Sequence, residues 1–193
     1  METNRQFTKT TYMALCGLFA ALMAICSLIS IPLGFTPVPV NLATLGVFLA
    51  GGLLGKKYGT IAVTVFVLVG AVGIPVFSEF RGGFSVLAGP TGGYIIGYIV
   101  GAFLVGLLIE KLLPGKTSRP VEGRTRVKEL LSCAFARVIG LIACYLLGTI
   151  WFMFTTNTGI WAALISCIFP FLPGDALKIT AGAILVQKLR HLL

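Results

Sequence analysis

Asp175 and Lys178 are the residues of this 193-residue chain whose types and spacing point most directly to chemistry. They lie three residues apart, and on a helix that begins near Asp175 their side chains share one face. A charge at the centre of a bilayer costs about 2.5–3.5 kcal/mol, so charges in apolar segments usually face a cavity inside the protein. The pair therefore predicts a polar ligand site. The alternative is that Asp175 caps the helix and Lys178 snorkels outward to pair with it.

A second candidate group is the run Arg81, Gly82, Gly83 and Phe84. The guanidinium of an arginine offers a planar pair of donors that suits a carboxylate. The two glycines allow the backbone to turn back or to approach a ligand closely. The alternative is a surface arginine that pairs with Glu79.

Thr91 and Tyr94 form a third candidate group, in the sequence Gly89-Pro-Thr-Gly-Gly-Tyr94. A helix capped by Thr91 would direct free N–H groups and its positive dipole end towards a ligand. Tyr94 and Tyr98 would lie one turn apart on that helix. The alternative is an ordinary turn that leads into a helix.

The composition identifies the kind of scaffold that must position these residues. Hydrophobic residues make up 57% of the chain and charged residues 11%, and the mean hydropathy is +1.00. A soluble domain has about 25% charged residues, so this chain cannot cover itself with a polar surface. The apolar stretches are too continuous for the alternating strands of a β-barrel. We therefore predict an all-α integral membrane protein that forms a single domain.

Continuous apolar stretches predict six transmembrane helices. Their approximate ranges are 10–29, 40–54, 58–72, 91–113, 130–154 and 175–188, with a short apolar segment at 160–171 and a basic loop at 114–128. If the N-terminus lies inside, the inner segments hold twelve Lys and Arg residues and the outer segments hold only Arg81. The positive-inside rule therefore places both termini in the cytoplasm. The basic loop is better explained by contact with anionic lipid than by binding of nucleic acid.

The sequence does not indicate an enzyme, a metal site or a disulfide framework. The five cysteines have no CxxC spacing or histidine partners, which favours reduced, packed thiols. Two lysine-containing segments, Gly51–Lys56 and Glu110–Thr117, lack the full pattern of a phosphate-binding loop and follow no predicted strand. If this protein moves anything uphill with ATP, the ATPase must therefore be another chain.

Small residues line one stretch of the first predicted helix and suggest a helix-packing face. They are Ala14, Gly17, Ala20, Ala21 and Ala24. Such spacing allows two helices to approach closely, either within the bundle or in contact with another membrane subunit. Arg137, in the fifth helix, is expected to snorkel or to meet an acid of a partner.

Several motifs in order resemble the BioY family, the biotin-binding S components of energy-coupling factor (ECF) vitamin transporters. They are Val38-Pro-Val, Thr44-Leu-Gly-Val-Phe-Leu-Ala-Gly-Gly-Leu-Leu-Gly55, Gly70-Ala-Val-Gly-Ile-Pro-Val-Phe77, Arg81-Gly-Gly-Phe, Gly89-Pro-Thr-Gly-Gly-Tyr94 and Pro170-Phe-Leu-Pro-Gly-Asp175-xx-Lys178. The resemblance covers the chain from about the first helix to the last. Asn41 and Ala43 depart from the family's VPVTLQTL, which puts a polar contact from Asn41 in question.

The resemblance implies an S-component bundle in the cell membrane that captures biotin from outside. Its partners would be a transmembrane coupling subunit (T component) and two cytoplasmic ATPases, with biotin as ligand and no cofactor. Lys178 or Arg81 would meet the carboxylate of biotin, and Asp175 would accept from the ureido N–H groups. Apolar walls would come from Phe77, Phe80, Phe84, Tyr94 and Trp151. Two alternatives are a self-sufficient secondary carrier for biotin or another small anionic vitamin, and a non-transporting membrane scaffold.

Overall fold

The computed structural model describes residues 8–113 and 123–189, and these form an almost entirely helical structure. The helices are α1 (Lys9–Leu28), α2 (Ala43–Ala71), α3 (Phe84–Ala88), α4 (Gly92–Leu112), α5 (Gly123–Thr156), α6 (Ile160–Cys167) and α7 (Leu172–Leu189). Two short strands, β1 (Ser30–Ile31) and β2 (Val40–Asn41), pair in antiparallel fashion between α1 and α2. A 3-10 helix covers Ser78–Phe80.

The length and hydropathy of the helices fit a membrane protein. In the described part of the chain, four helical segments are long and apolar enough to cross a bilayer, namely Lys9–Leu28, Ala43–Ala71, Gly92–Leu112 and Glu129–Thr156. The bent pair α6 and α7, which meet at 51°, makes a fifth if it is counted as one span. The number six remains a prediction, since it counts α2 as two spans.

α2 is divided in two at Gly55, whose backbone angles (φ 76°, ψ −178°) are not helical. A positive φ is readily adopted by glycine because it has no Cβ. A Cβ placed on Gly59 would lie 2.6 Å from the carbonyl oxygen of Ala50. In a straight helix these two residues would be about 13 Å apart along the axis. The chain therefore folds back at Gly55, and the two halves of α2 pack against each other.

Several predicted boundaries need correction. The second helix begins at Ala43, because Val40 and Asn41 pair with β1. The segment 73–90, which the predicted helices at 58–72 and 91–113 leave without a predicted element, contains the 3-10 helix and α3. The predicted loop 114–128 is too long at its C-terminal side, because α5 already begins at Gly123. The rest of that loop, 114–122, lies outside the described residues.

The core of the bundle lies where α2, α4 and α5 pack side by side. Met23 from α1, Phe48 and Phe66 from α2, and Val105 from α4 are almost completely buried there. The prediction that Arg137 snorkels is wrong, since Arg137 is 0% exposed. Its guanidinium donates to the carbonyls of Cys133 on α5 (3.1 Å) and Gly182 on α7 (2.7 Å). These hydrogen bonds give both terminal nitrogens of the guanidinium a partner, leave the buried Nε without one among the described residues, and tie α7 to α5.

The two ends of the bundle differ in character. At one end, the break in α2 meets the end of α4, where Lys56 Nζ lies 3.3 Å from a carboxylate oxygen of Glu110. At the opposite end lie the start of α2, the start of α4 and the hairpin β1–β2. These surround a cavity that contains the candidate binding residues.

Candidate functional site

A cavity opens at the end of the bundle where α2 and α4 begin. Counting its open mouth, it offers about 780 Å³ of space. Most of its wall is apolar, with side chains that include Val38, Phe77, Val86, Ile95, Leu141 and Phe171. The polar side chains at the wall are Ser27, Asn41, Thr44, Ser78, Glu79, Arg81, Thr91, Tyr94, Tyr98, Tyr145, Asp175 and Lys178. Ligand sites are typically built in this way, from apolar walls with a few orienting polar groups.

Asp175 and Lys178 lie together at the cavity wall, as their spacing predicts. Lys178 Nζ donates to Asp175 Oδ1 at 2.9 Å, and the residues are 3% and 7% exposed. α7 begins at Leu172, so Asp175 lies within its first turn and not at the helix start. Because Lys178 is buried at the cavity, the alternative in which it snorkels outward is wrong.

Tyr145 is the third member of this charged group. Tyr145 lies on α5, and its hydroxyl donates a hydrogen bond to Oδ2 of Asp175 on α7. Both carboxylate oxygens therefore have a donor, and a carboxylate still has lone pairs for further donors. The two hydrogen bonds fix the orientation of the Asp175 carboxylate at the cavity wall.

Arg81 lies at the mouth of the cavity, where its side chain is 58% exposed. It forms an ion pair with Glu79, so the pairing expected as the alternative is present together with the position at the cavity. Glu79 is fixed in turn, because its backbone N–H donates to Ser30 Oγ on β1 at 3.3 Å. A ligand carboxylate that reached Arg81 would compete with Glu79 for the guanidinium.

Asn41 connects two segments of the cavity rim. Its side-chain N–H donates to Ser78 Oγ (2.6 Å), and its side-chain oxygen accepts from the N–H of Ala43 (3.0 Å). The second hydrogen bond satisfies one of the free donors at the start of α2. Although Asn41 departs from the family pattern, it holds the 3-10 helix against the hairpin.

Thr91 and Tyr94 both line the cavity, but they act differently. Thr91 is the N-cap residue of α4, yet its side chain makes no capping hydrogen bond, contrary to the expectation. Tyr94 is buried, and its hydroxyl lies 3.1 Å from Thr149 Oγ1. Tyr98, one turn further along α4, also reaches the cavity. The start of α4 therefore contributes aromatic side chains with polar tips.

The structure does not place Gly82, Gly83 or Phe84 at the cavity wall. A Cβ on Gly82 would lie 2.5 Å from the carbonyl oxygen of Ile74, and Gly83 donates its N–H to Gly70 at 2.7 Å. These glycines therefore allow close backbone packing that supports the segment of Arg81. Phe84, 74% exposed, points out of the bundle and forms no wall.

Two other predicted walls are also wrong. Phe80 is 68% exposed and does not line the cavity. Trp151 likewise lies outside the lining, and its indole N–H donates to the carbonyl of Gly89 at 3.0 Å. The predicted aromatic walls that the structure does place there are Phe77 and Tyr94.

Sequence reasoning missed several lining residues that come from α5 and the α6–α7 region. They are Leu141, Cys144, Tyr145, Cys167 and Phe171. Tyr145 carried a usable signal, because it is a polar side chain within a long apolar span. The other four differ in no way from packed core residues in the sequence alone.

The small residues of α1 fall on two faces. Ala14, Gly17 and Ala21 are exposed, whereas Ala20 is buried in the core and Ala24 is half-buried. A Cβ on Gly17 would meet no atom within 4 Å. The first three residues form an exposed small-residue face, while Ala20 belongs to internal packing.

The fold is a bundle of helices long and apolar enough to cross a membrane, with a cavity at one end that combines apolar walls and polar side chains. In the described ranges, no group of three or more His, Cys, Asp or Glu residues could hold a metal ion. The chain belongs to the BioY family, whose model matches residues 1–193.

Relatives of known name support this assignment. The biotin transporter BioY of Thermotoga maritima is 42% identical over 177 residues, which cover 91% of this chain and 94% of the relative. The biotin transporter BioY of Lactococcus lactis is 36% identical over 189 residues, 97% of this chain and 94% of the relative. The crystal structure of the S-component for biotin from an ECF-type ABC transporter matches with a TM-score of 0.81 and 34% identity, covering 98% of this chain and 95% of that chain.

Proposed function

We propose that this chain is the biotin-binding S component of an ECF-type vitamin importer. The observation that carries the proposal is the group that buried Asp175 and Lys178 form with the partly buried Tyr145 at the wall of a largely apolar cavity. A charged pair inside an apolar bundle is costly, so charges in such a position usually face a functional cavity. Relatives that align with nearly the whole chain are named biotin transporters, which identifies the ligand chemistry that the site would serve.

The chemistry of biotin fits the deep part of the cavity. The ureido ring carries two N–H donors, which the carboxylate of Asp175 accepts. The thiophane ring and the valeryl chain are apolar, and Phe77, Ile95 and Phe171 offer matching walls. Burial of such groups against apolar side chains contributes about 25 cal/mol per Å² of apolar surface removed from water.

The carboxylate of biotin is assigned to Arg81 at the mouth. The charge of Lys178 is already matched by Asp175 at 2.9 Å, whereas Arg81 lies where an anionic group loses less hydration. Asn41, Thr91 and Tyr94 complete the rim as polar contacts. Gly82 and Gly83 support the segment that carries Arg81.

The proposed location is the cell membrane. The proposed topology has six membrane spans, with both termini in the cytoplasm. The fold-back at Gly55 supports it, because the two halves of α2 then cross in opposite directions. The charge distribution also supports it, since Lys56, Lys57 and Lys111 lie at the end of the bundle opposite the cavity. With positive charge inside, the cavity opens outward.

The proposed partners are a transmembrane coupling subunit and two cytoplasmic ATPases. The exposed face of Ala14, Gly17 and Ala21 on α1 is the proposed contact with the coupling subunit, because small residues permit close helix packing in lipid. Ala20 and Ala24 support this helix from within the bundle. The chain itself acts as a transport subunit and not as an enzyme.

Isothermal titration of the purified chain with biotin tests the proposal. The parent is expected to bind tightly, and Asp175→Asn and Lys178→Ala are expected to bind at least tenfold more weakly while remaining folded, because each removes an orienting charge. Lys188→Ala, at the opposite end of the same helix, is the matched control and should bind as the parent does. Absence of biotin binding by the parent would refute the proposal.

Vesicle uptake separates the importer subunit from a secondary carrier. Vesicles that contain this chain without coupling subunit or ATPases should not accumulate biotin in response to a proton or sodium gradient. Gradient-driven accumulation would instead establish the carrier.

A further inference from the structure

A second concave surface lies on the outside of the bundle, away from the biotin cavity. We call it the α2–α4 groove, and it is lined by Lys56, Lys57, Thr60, Ile61, Thr64, Val65 and Phe103. The first six residues come from the second half of α2, and Phe103 comes from α4. The groove runs from the lysines at the Gly55 turn towards the middle of the bundle, about 12 Å along the helix axis from Lys57 to Val65.

The floor of the groove is apolar despite its two threonines. The hydroxyl of Thr60 donates to the carbonyl of Lys56 (2.5 Å), and that of Thr64 donates to the carbonyl of Thr60 (2.8 Å). Both hydroxyl protons are therefore engaged by the helix itself. Ile61, Val65 and Phe103 are all exposed, so the groove presents a hydrocarbon surface that an acyl chain would match.

The charged end of the groove retains a free cation. Lys56 is paired with Glu110 at 3.3 Å. Among the described residues, no carboxylate lies within ion-pair distance of Lys57, whose Nζ is 5.6 Å from the centre of the Tyr58 ring. An aromatic ring attracts a cation but leaves its net charge in place. The groove therefore combines an apolar channel with one unneutralised positive charge at its mouth.

We propose that the α2–α4 groove binds one anionic glycerophospholipid, with the headgroup on Lys57 and an acyl chain against Ile61, Val65 and Phe103. The charge complementarity between Lys57 and a headgroup of net negative charge selects this occupant over a lipid without net charge. A lysine near the headgroup region contributes about 1 kcal/mol of attraction to anionic lipid, or about fivefold in affinity. The inference requires that the chain is embedded in a membrane, and it is independent of biotin binding.

Fluorescence quenching by brominated lipids tests the proposal on the purified full chain. Phe103→Trp places a reporter in the groove, and the parent, with its two native tryptophans, supplies the background. The probes are brominated phosphatidylglycerol and brominated phosphatidylcholine with identical acyl chains. The reporter is expected to show about fivefold tighter association with phosphatidylglycerol. Salt at 1 M should weaken this preference, because it screens exposed charges.

Lys57→Gln in the reporter chain should abolish the preference, whereas Lys111→Gln, an exposed lysine at the same end that does not line the groove, should retain it. Equal quenching by the two lipids, or equal losses in the two lysine variants, would overturn the proposal. Loss of quenching when the chain is assembled with its transporter subunits would show a protein contact in the groove and would also overturn it.

Native mass spectrometry of the chain with Phe103 intact guards against misfolding of the reporter. The parent and Lys111→Gln should retain phosphatidylglycerol about fivefold more than Lys57→Gln does. Equal retention by all three chains would refute the site. Biotin titration of the same samples should give unchanged affinity in each.

Discussion

The hydroxyl of Tyr145 on α5 donates a hydrogen bond to Oδ2 of Asp175 on α7, while Lys178 donates to Oδ1 of the same carboxylate. The relationship joins two helices through the side chain that we assign to the ureido group of biotin. It therefore links the packing of α5 against α7 to the orientation of the ligand site.

Tyr145→Phe should weaken biotin binding while leaving the fold intact. The change removes a hydrogen bond to a charged group, worth about 1.5 kcal/mol, which corresponds to roughly tenfold in Kd. Isothermal titration measures the effect. Tyr58→Phe, remote from the cavity, serves as the control and should bind normally. Parent-like affinity in Tyr145→Phe would show that the hydroxyl does not orient Asp175 for the ligand.

Arg81→Gln should reduce the preference for biotin over its neutral amide. The parent is expected to prefer the carboxylate form, and loss of a charge-assisted hydrogen bond should lower that preference about tenfold. Arg81→Lys should be intermediate, because it keeps the charge but loses the planar fork. Competitive titration with the two ligands measures the ratio. If the affinity ratio of biotin to its amide were unchanged in Arg81→Gln but reduced in Lys178→Ala, the carboxylate of biotin would have to be assigned to Lys178 instead.

Gly148→Ala should disturb the cavity from behind Tyr94. A Cβ at this position would lie 2.2 Å from the Tyr94 ring, so the ring must shift. Overpacking of this kind destabilises by about 1–3 kcal/mol, and displacement of Tyr94 should also weaken biotin binding. Thermal unfolding in detergent and titration measure the two effects. Gly159→Ala is the control, because a Cβ there would meet nothing within 4 Å, and it should change neither stability nor affinity. If Gly148→Ala also left stability and affinity unchanged, the packing of Gly148 against Tyr94 would be contradicted.

Glu110→Ala should destabilise the turn at Gly55 without affecting the ligand. One oxygen of Glu110 accepts from the backbone N–H of Lys56 at 2.9 Å, and the other pairs with its ammonium. Loss of the cap and of the exposed ion pair should lower the free energy of unfolding by about 1 kcal/mol. Glu110→Gln keeps an acceptor and should lose less. Thermal unfolding measures the stability of the parent and the two variants. Equal stability of all three would show that Glu110 does not stabilise the turn by accepting from Lys56.

Gly17→Leu should impair assembly but not biotin binding. The added side chain enters open space in the isolated chain, yet it would obstruct close approach of a coupling-subunit helix. Affinity capture with the coupling subunit should fall at least tenfold. Val138→Leu, an exposed position on α5, is the control and should be captured like the parent. Normal capture of Gly17→Leu would exclude this face of α1 from the interface.

Asp175 and Lys178 could be predicted from sequence because an apolar chain gives each internal charge a high cost. Their spacing of three residues can be read directly from the sequence, and it places both side chains on one face of a helix. The structure shows the two side chains paired. The hydrogen bond from Tyr145 could not be predicted, because it depends on how α5 is rotated against α7. Rotation of a helix about its axis is set by packing over its whole length.

The aromatic residues also show that the direction of a side chain could not be predicted from the sequence. Phe77 and Phe84 stand in similar Gly-rich surroundings, yet Phe77 is 2% exposed at the cavity and Phe84 is 74% exposed on the outside. The direction of each ring follows from the 3-10 helix and α3, short elements that the apolar pattern did not reveal. In α1, likewise, residue size alone does not distinguish exposed Ala21 from buried Ala20.

The helix that carries Asp175 and Lys178 is translated after every other wall of the cavity. The ribosome has therefore delivered the rim, the hairpin and α5 to the bilayer before the acid and the amine that would recognise the vitamin exist. A polypeptide that stops before α7 therefore lacks Asp175 and Lys178, the pair that we assign to the vitamin.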